Sequence, residues 1–214
     1  MFFNLFGILN VVRKIYEKIL ERKVKGKIVP EHLVIITEAK DFLDNLAKFH
    51  EFTKWCRRFK IKELTICLNF NKKVKHDLKS TLNSILKFFE FENVNIIADN
   101  VRIRKYGPDP LINFLVNYNG KKEITSAVKK IAKLIEAGKI NPEDVNEEII
   151  ENYLCVKRPP DLIIRAGREI PNFLIWQSIY SELYFLDMDW KNFRYLDFLR
   201  CLKEYQRRER RYGR

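Results

Sequence analysis

The feature that most constrains this chain is an alternation of short apolar runs with segments of helical spacing. The runs are HLVIIT (32–37), ELTICLN (63–69), VNII (94–97), LINFLVN (111–117) and LII (162–164). Between the first two, Phe42, Leu43, Leu46, Phe49, Phe52, Trp55 and Phe59 recur close to the helical period. Strands that are apolar on both faces belong to parallel sheets covered by helices on each side. The pattern therefore predicts an α/β fold with a mostly parallel central sheet flanked by helices. Helices are expected at Asp41–Phe59, Asp77–Phe89, Ile124–Ala137, Glu147–Leu154, Phe173–Phe185 and Phe193–Arg211, with a short extra element at Val101–Arg104. Gly138 is placed to stop one helix, and Asn141 to cap a short one that opens on Pro142. Leu162–Ile164 is expected to be the last strand.

Two parts follow: an N-terminal amphipathic helix in residues 1–25 and one domain over residues 31–214. In the helix, Val12, Ile15, Tyr16, Ile19 and Leu20 share a face, opposite Arg13, Lys14, Glu17, Lys18 and Arg22. Upstream, Phe2, Phe3, Leu5, Phe6, Ile8 and Leu9 are apolar nearly all round. Residues 1–23 suit a membrane interface, and equally suit packing on the chain's own domain or on a partner. Charges begin at Arg13, too early for a bilayer span, and no secretory signal pattern is present.

Lys and Arg number 41 against 28 Asp and Glu, a formal net charge of +13. That surplus favours anionic partners: nucleic acid, diphosphates or acidic lipid headgroups. No aromatic–basic RNA motif is present, so a nucleic-acid partner is not expected. Cys56, Cys67, Cys155 and Cys201 are scattered, as core thiols in a reducing cytosol are. His32, His50 and His76 make no metal motif, and the glycine-rich nucleotide loops and hydrolase elbows are absent. The expected location is the cytoplasm, peripheral at the cytoplasmic face of the membrane.

The stretch Pro160–Trp190 carries the functional signal. A short apolar run ends at Arg165, a turn follows with Gly167, Arg168, Glu169 and Pro171, and aromatic residues come after. Ligands gather at the carboxyl ends of parallel strands, and arginine presents a planar fork that fits phosphate oxygens. On the residues alone this is either an anion site or an ordinary strand–turn–helix with a surface arginine.

The wording of the stretch is more specific than its pattern. PDLIIR (160–165), NFLIWQ (172–177), YSELYF (180–185), Trp190 and Phe193 resemble, in order, the C-terminal signature of the cis-prenyltransferases, the undecaprenyl diphosphate synthase family. LVNYNGKKEI (115–124) is similar to that family's Asn-Tyr-Gly-Gly strand-to-helix turn, and RRERRYG (207–213) to its arginine-rich tail ending in Arg-x-Gly. The resemblance implies a transferase that condenses isopentenyl diphosphate with an allylic diphosphate, using Mg2+. It implies diphosphate-binding roles for Arg165, Arg168, Arg211 and Gly213, and an inherited metal-supporting position at Glu182.

The first half of the chain departs from the family pattern. The family's loop after its first strand, Met-Asp-Gly-Asn-Gly-Arg, is here Glu38-Ala39-Lys40-Asp41-Phe42. Glu38 stands at the catalytic aspartate's position, and the glycines that let backbone wrap phosphate are missing. The expectation is a non-catalytic subunit of a heteromeric enzyme, of the Nogo-B receptor type. Its partner is a catalytic cis-prenyltransferase subunit that holds most of the magnesium and receives this chain's Arg-x-Gly tail. The alternative is a stand-alone homodimeric transferase using Glu38 or Asp41; an RNA- or membrane-binding protein built on the same fold is a further one.

Overall fold

Seven strands form a single sheet in the order β4-β3-β5-β2-β1-β6-β7. The strands are β1 (His32–Glu38), β2 (Glu63–Asn69), β3 (Asn93–Ala98), β4 (Val101–Lys105), β5 (Leu111–Val116), β6 (Leu162–Ala166) and β7 (Glu182–Leu186). All neighbours pair in parallel except β3 with β4. The helices are α1 (Phe2–Val24), α2 (Ala39–Asp44), α3 (Leu46–Arg58), α4 (Leu78–Phe88), α5 (Gly120–Glu136), α6 (Glu147–Glu151) and α7 (Tyr195–Arg207). This computed structural model describes residues 2–70, 78–98, 101–166, 173–186 and 189–208, with the side chains of residues 2–7 and of 166 excepted. The expected α/β class and mostly parallel sheet are both observed.

The central strands are buried along their length, as their uninterrupted apolar runs require. The two faces of the sheet differ. One carries the larger core: Leu33, Ile35, Leu64, Ile66 and Phe114 meet Phe42, Phe49, Phe52, Phe89, Trp190 and Phe198 from the helices. The other carries a smaller apolar cluster, Val34, Ile36, Cys67, Ile97, Leu115, Ile163, Phe173 and Leu174.

Beside the smaller cluster a polar chain crosses four strands. Asn95 donates to Asn113 (2.9 Å), and Asn113 donates to the Thr65 hydroxyl (3.2 Å). Nε2 of His32 lies 2.8 Å from that hydroxyl, and Nδ1 lies 2.7 Å from the Arg158 carbonyl. A carbonyl only accepts, so Nδ1 carries the proton and Nε2 accepts from Thr65. Burial holds the His32 imidazole below its ordinary range, against the pull of Glu63 and other neighbours.

Several expected elements take a different form. The helix expected over Asp41–Phe59 is two helices, α2 and α3. Asn45 leaves helical geometry at φ −131°, and its side-chain amide donates to the Asp41 carbonyl at 2.8 Å. The Glu147–Leu154 helix stops at Glu151, and Asn146 caps it by accepting from the Ile149 amide at 3.0 Å. Asn141 caps no backbone amide; its side chain bonds Asp144 at 3.1 Å, and Pro142–Asp144 is a single 3-10 turn. Gly138 does close α5, with φ +65° and its amide on the Ile135 carbonyl.

The largest difference is at Phe173–Phe185, which is not a helix. The described part runs through turns to Ser181 and then forms β7, so β6 is not the last strand. The aromatic spacing that reads as helical instead alternates across an edge strand, with Leu183 and Phe185 exposed and Leu186 buried.

Candidate active site

The carboxyl ends of β1, β2 and β6 place three polar side chains on one face of the sheet. Glu38 sits opposite Asn69 in the β1–β2 register, and Arg165 sits opposite Ile36 in the β1–β6 register. Asn69 donates to the Glu38 carboxylate at 3.3 Å. Sequence reasoning passed over Asn69 in that role, although its place at the end of an apolar run marks it as a residue of the sheet's C-terminal edge.

Arg165 has the least satisfied side chain of the three. Its Nε and Nη1 are buried and have no hydrogen-bond partner among the described residues. It borders a cavity of about 90 Å3 whose walls include Ile36, Ile163, Phe173, Ser178 and Phe185. A buried donor without a partner costs about 1–3 kcal/mol relative to a satisfied one, and an anionic oxygen is the acceptor that best removes that cost.

At Glu38 the strand passes directly into helix. Glu38 is the N-cap residue of α2, with φ −71° and ψ 144°, and its side chain bonds no backbone amide there. Ala39 and Phe42 are already fully buried. Phe42 packs against its neighbours at ring-centroid distances of 5.0 Å to Phe49 (tilted), 5.6 Å to Phe114 (edge-on) and 6.3 Å to Phe89 (stacked). Trp190 joins the same cluster, 5.6 Å from Phe49, and its indole N–H donates to the Ile36 carbonyl at 3.2 Å. The end of β1 is thus pinned by an aromatic core. No glycine occurs between Gly26 and Gly107.

Glu182 is not part of this group. In the β6–β7 register it pairs with Leu162, three rungs from Arg165 and toward the opposite edge of the sheet. Arg208 donates to the Glu182 carboxylate at 2.8 Å and to the Leu183 carbonyl at 2.8 Å. That arginine was read only as part of a basic tail; here it fastens the end of α7 to the edge strand. Arg168, Arg211 and Gly213 lie outside the described residues.

A magnesium ion needs converging oxygen ligands with charge to spare. Among the described residues no three His, Cys, Asp or Glu side chains converge to hold one. Asp41 comes nearest: burial, then the charges of Asp189 and Asp44, push its carboxyl above the ordinary range. With Glu38 engaged by Asn69 and Glu182 by Arg208, the described carboxylates do not fit a magnesium site built from this chain alone.

The Asn117–Gly120 turn borders a cavity of about 500 Å3 and is braced by hydrogen bonds on its inner side. Asn119 caps α5 by accepting from the Lys122 amide at 3.1 Å. Glu123 is mostly buried and accepts from the Tyr118 hydroxyl, from the Cys155 amide at 2.6 Å and from Gln177 at 3.2 Å. Gln177, from the NFLIWQ segment, is thereby tied to the turn after β5.

Residues 109–213 match the family described as "Putative undecaprenyl diphosphate synthase". The tritrans,polycis-undecaprenyl-diphosphate synthase (geranylgeranyl-diphosphate specific) of Methanocaldococcus jannaschii is 34% identical, over 94% of this chain and 89% of its own length. The enzyme of the same description from Pyrococcus abyssi is 31% identical, over 98% of this chain and 100% of its own. These alignments span 250 and 265 positions against 214 residues here, so both relatives carry segments that this chain lacks.

Among solved structures, lavandulyl diphosphate synthase from Lavandula x intermedia superposes with a TM-score of 0.71 at 22% identity, covering 87% of this chain and 99% of that one. A probable undecaprenyl diphosphate synthase from Campylobacter jejuni gives 0.65 at 23%, covering 86% and 99%. The structural matches establish the fold. With a third of the sequence shared along nearly the whole length of the archaeal relatives, the chain belongs to the cis-prenyltransferase family of undecaprenyl diphosphate synthases.

Proposed function

We propose that this chain is the non-catalytic subunit of a heteromeric cis-prenyltransferase. Its catalytic partner makes a long-chain cis-polyprenyl diphosphate, a precursor of glycosyl-carrier lipid. In that reaction the partner joins C4 of isopentenyl diphosphate to C1 of the allylic substrate; the C1–O bond breaks, inorganic diphosphate leaves, and C2 of the isopentenyl unit loses a proton. The observation that carries the proposal is the direct strand-to-helix passage at Glu38, which offers no glycine loop to approach phosphate. Ala39 and Phe42, just after it, are already buried in the aromatic core and leave the segment no freedom to wrap an anion.

The chain's contribution to the complex is then support and substrate binding. The edge strand β7 exposes Leu183 and Phe185, with Ile179 and Tyr180 beside it, and this apolar edge is the proposed seat of the partner. Arg165 and Arg168 are the proposed diphosphate contacts on this chain. Arg211 and Gly213 enter the partner's active site, where isopentenyl diphosphate binds and where most of the magnesium is held. Replacing Arg211 by Ala is expected to raise the complex's KM for isopentenyl diphosphate at least tenfold. Unchanged KM and kcat would remove the tail from the site.

A second reading is favoured by the relatives, whose printed descriptions are those of synthases. In it the chain is a stand-alone homodimeric transferase, using Glu38 or Asp41. Replacing both together, Glu38→Gln with Asp41→Asn, separates the two. The first reading expects unchanged turnover in the complex, and the second expects loss of turnover in the purified chain.

A further inference from the structure

The charges of α1 are sorted in a way that its role as an N-terminal extension does not require. The helix meets the domain through its last turns. Leu20 and Val24 are buried, and Gln206 of α7 donates to the Val24 and Ile28 carbonyls at 3.0 Å each. Both acids of the helix turn toward that contact and are neutralised there. Glu21 pairs with Arg58 of α3 at 2.6 Å and with Lys25 at 3.0 Å, and Glu17 with Arg13 at 3.7 Å.

The opposite face is apolar and uncovered. Ile8, Leu9, Val11, Val12, Ile15, Tyr16 and Ile19 are each 44–58% exposed. At 100° per residue they occupy one continuous arc, roughly 160° wide. Lys18, Arg22 and Lys23 lie outside the acid-bearing face, and neither they nor Lys14 make an ion pair among the described residues. Lys18, Arg22 and Lys23 flank or punctuate the apolar arc, and Lys14 continues the row on one side. Every exposed charge beside the stripe is therefore positive.

A helix of this kind lies in the plane of a bilayer interface, with its apolar arc among the acyl chains and its cations at the headgroups. A partner helix would be equally served by acids along the rim, and here the acids are withdrawn. Spanning is excluded on the described residues, since no helix is long and apolar enough to cross a membrane. We infer that α1 is an anionic-lipid docking helix that lays the domain on a membrane surface. This inference stands on α1 alone and is independent of which subunit performs catalysis.

The test is co-sedimentation of the full chain with vesicles of phosphatidylcholine alone or mixed with phosphatidylglycerol. The full chain is expected to pellet with the mixed vesicles and to be released by high salt. Val12→Glu with Ile15→Glu changes only exposed positions and is expected to lower the bound fraction at least tenfold. Exchanging Lys14, Lys18 and Arg22 for Gln is expected to abolish the preference for phosphatidylglycerol. Failure of the full chain to pellet with either vesicle, or undiminished pelleting of the double variant, would overturn the inference. So would a fall in the molar mass of the vesicle-free protein on introducing the double variant, which would make the stripe a protein seam.

Discussion

His32, Arg165 and Glu182 show how differently three polar residues of one sheet are used. His32 is neutral because its two ring nitrogens serve opposite roles, Nδ1 donating to the Arg158 carbonyl and Nε2 accepting from Thr65. Protonation would put a donor against the Thr65 hydroxyl inside the core. Its folded pKa lies below the ordinary 6.5, so the unfolded chain binds the proton first as pH falls. Stability from this residue is complete above pH 6.5 and declines below it, toward the folded value. His32→Phe is expected to cost about 1–3 kcal/mol by orphaning its two partners. It should also flatten the stability–pH curve just below 6.5, as read by urea denaturation across pH. Arg165 behaves oppositely, because its buried Nε and Nη1 lack partners among the described residues. Arg165→Met should leave the melting temperature of the isolated chain unchanged or raise it, by up to about 1 kcal/mol in stability. Inorganic diphosphate should raise the melting temperature of the natural protein and not of the variant. Both residues were legible as polar ends of apolar strands, but their opposite states were not, since hydrogen-bond partners come from strands far apart in sequence. Glu182 was legible as a family position; its engagement by Arg208, 26 residues later, was not.

Among the elements, the central strands were the most legible, because a run that is apolar on both faces has few places to go. β7 was misread for a physical reason. An edge strand is half exposed, and Tyr180, Leu183 and Tyr184 follow helical spacing although the last two lie on opposite faces of the strand. The α2–α3 break was hidden as well, since the apolar period runs through Asn45 without interruption. These two helices form the aromatic wall, so a cavity can be cut into it. Phe42→Ala is expected to destabilise the domain by about 3–5 kcal/mol, measured by chemical denaturation, because its ring is fully buried among aromatic neighbours. The variant should gain no elongating activity if the site itself is missing. The docking of α1 has its own pH dependence. Burial raises the Glu21 carboxyl, but Lys25 and Arg58 outweigh it and hold the pKa below the ordinary 4.5. Its contribution is therefore intact above pH 4.5 and lost as pH falls through the lower folded value. Amide exchange in the last turns of α1 should accelerate over that range, by a modest factor because its partners are half exposed.

At the scale of the molecule, the C-terminal half carries the family's wording, and the sheet with its helices has the family's fold. The end of β1 is closed by helix and aromatic packing, and the described carboxylates do not assemble a metal site. The proposed division of labour between this chain and a partner is tested most directly by product analysis with magnesium, isopentenyl diphosphate and geranylgeranyl diphosphate. The purified chain would be assayed alone and mixed with the catalytic cis-prenyltransferase chain of the same cell. No polyprenyl diphosphate is expected from the chain alone, and at least a tenfold gain over the partner alone is expected from the mixture. Robust elongation by the purified chain by itself would contradict a supporting role and establish Glu38 and its surroundings as a working active site.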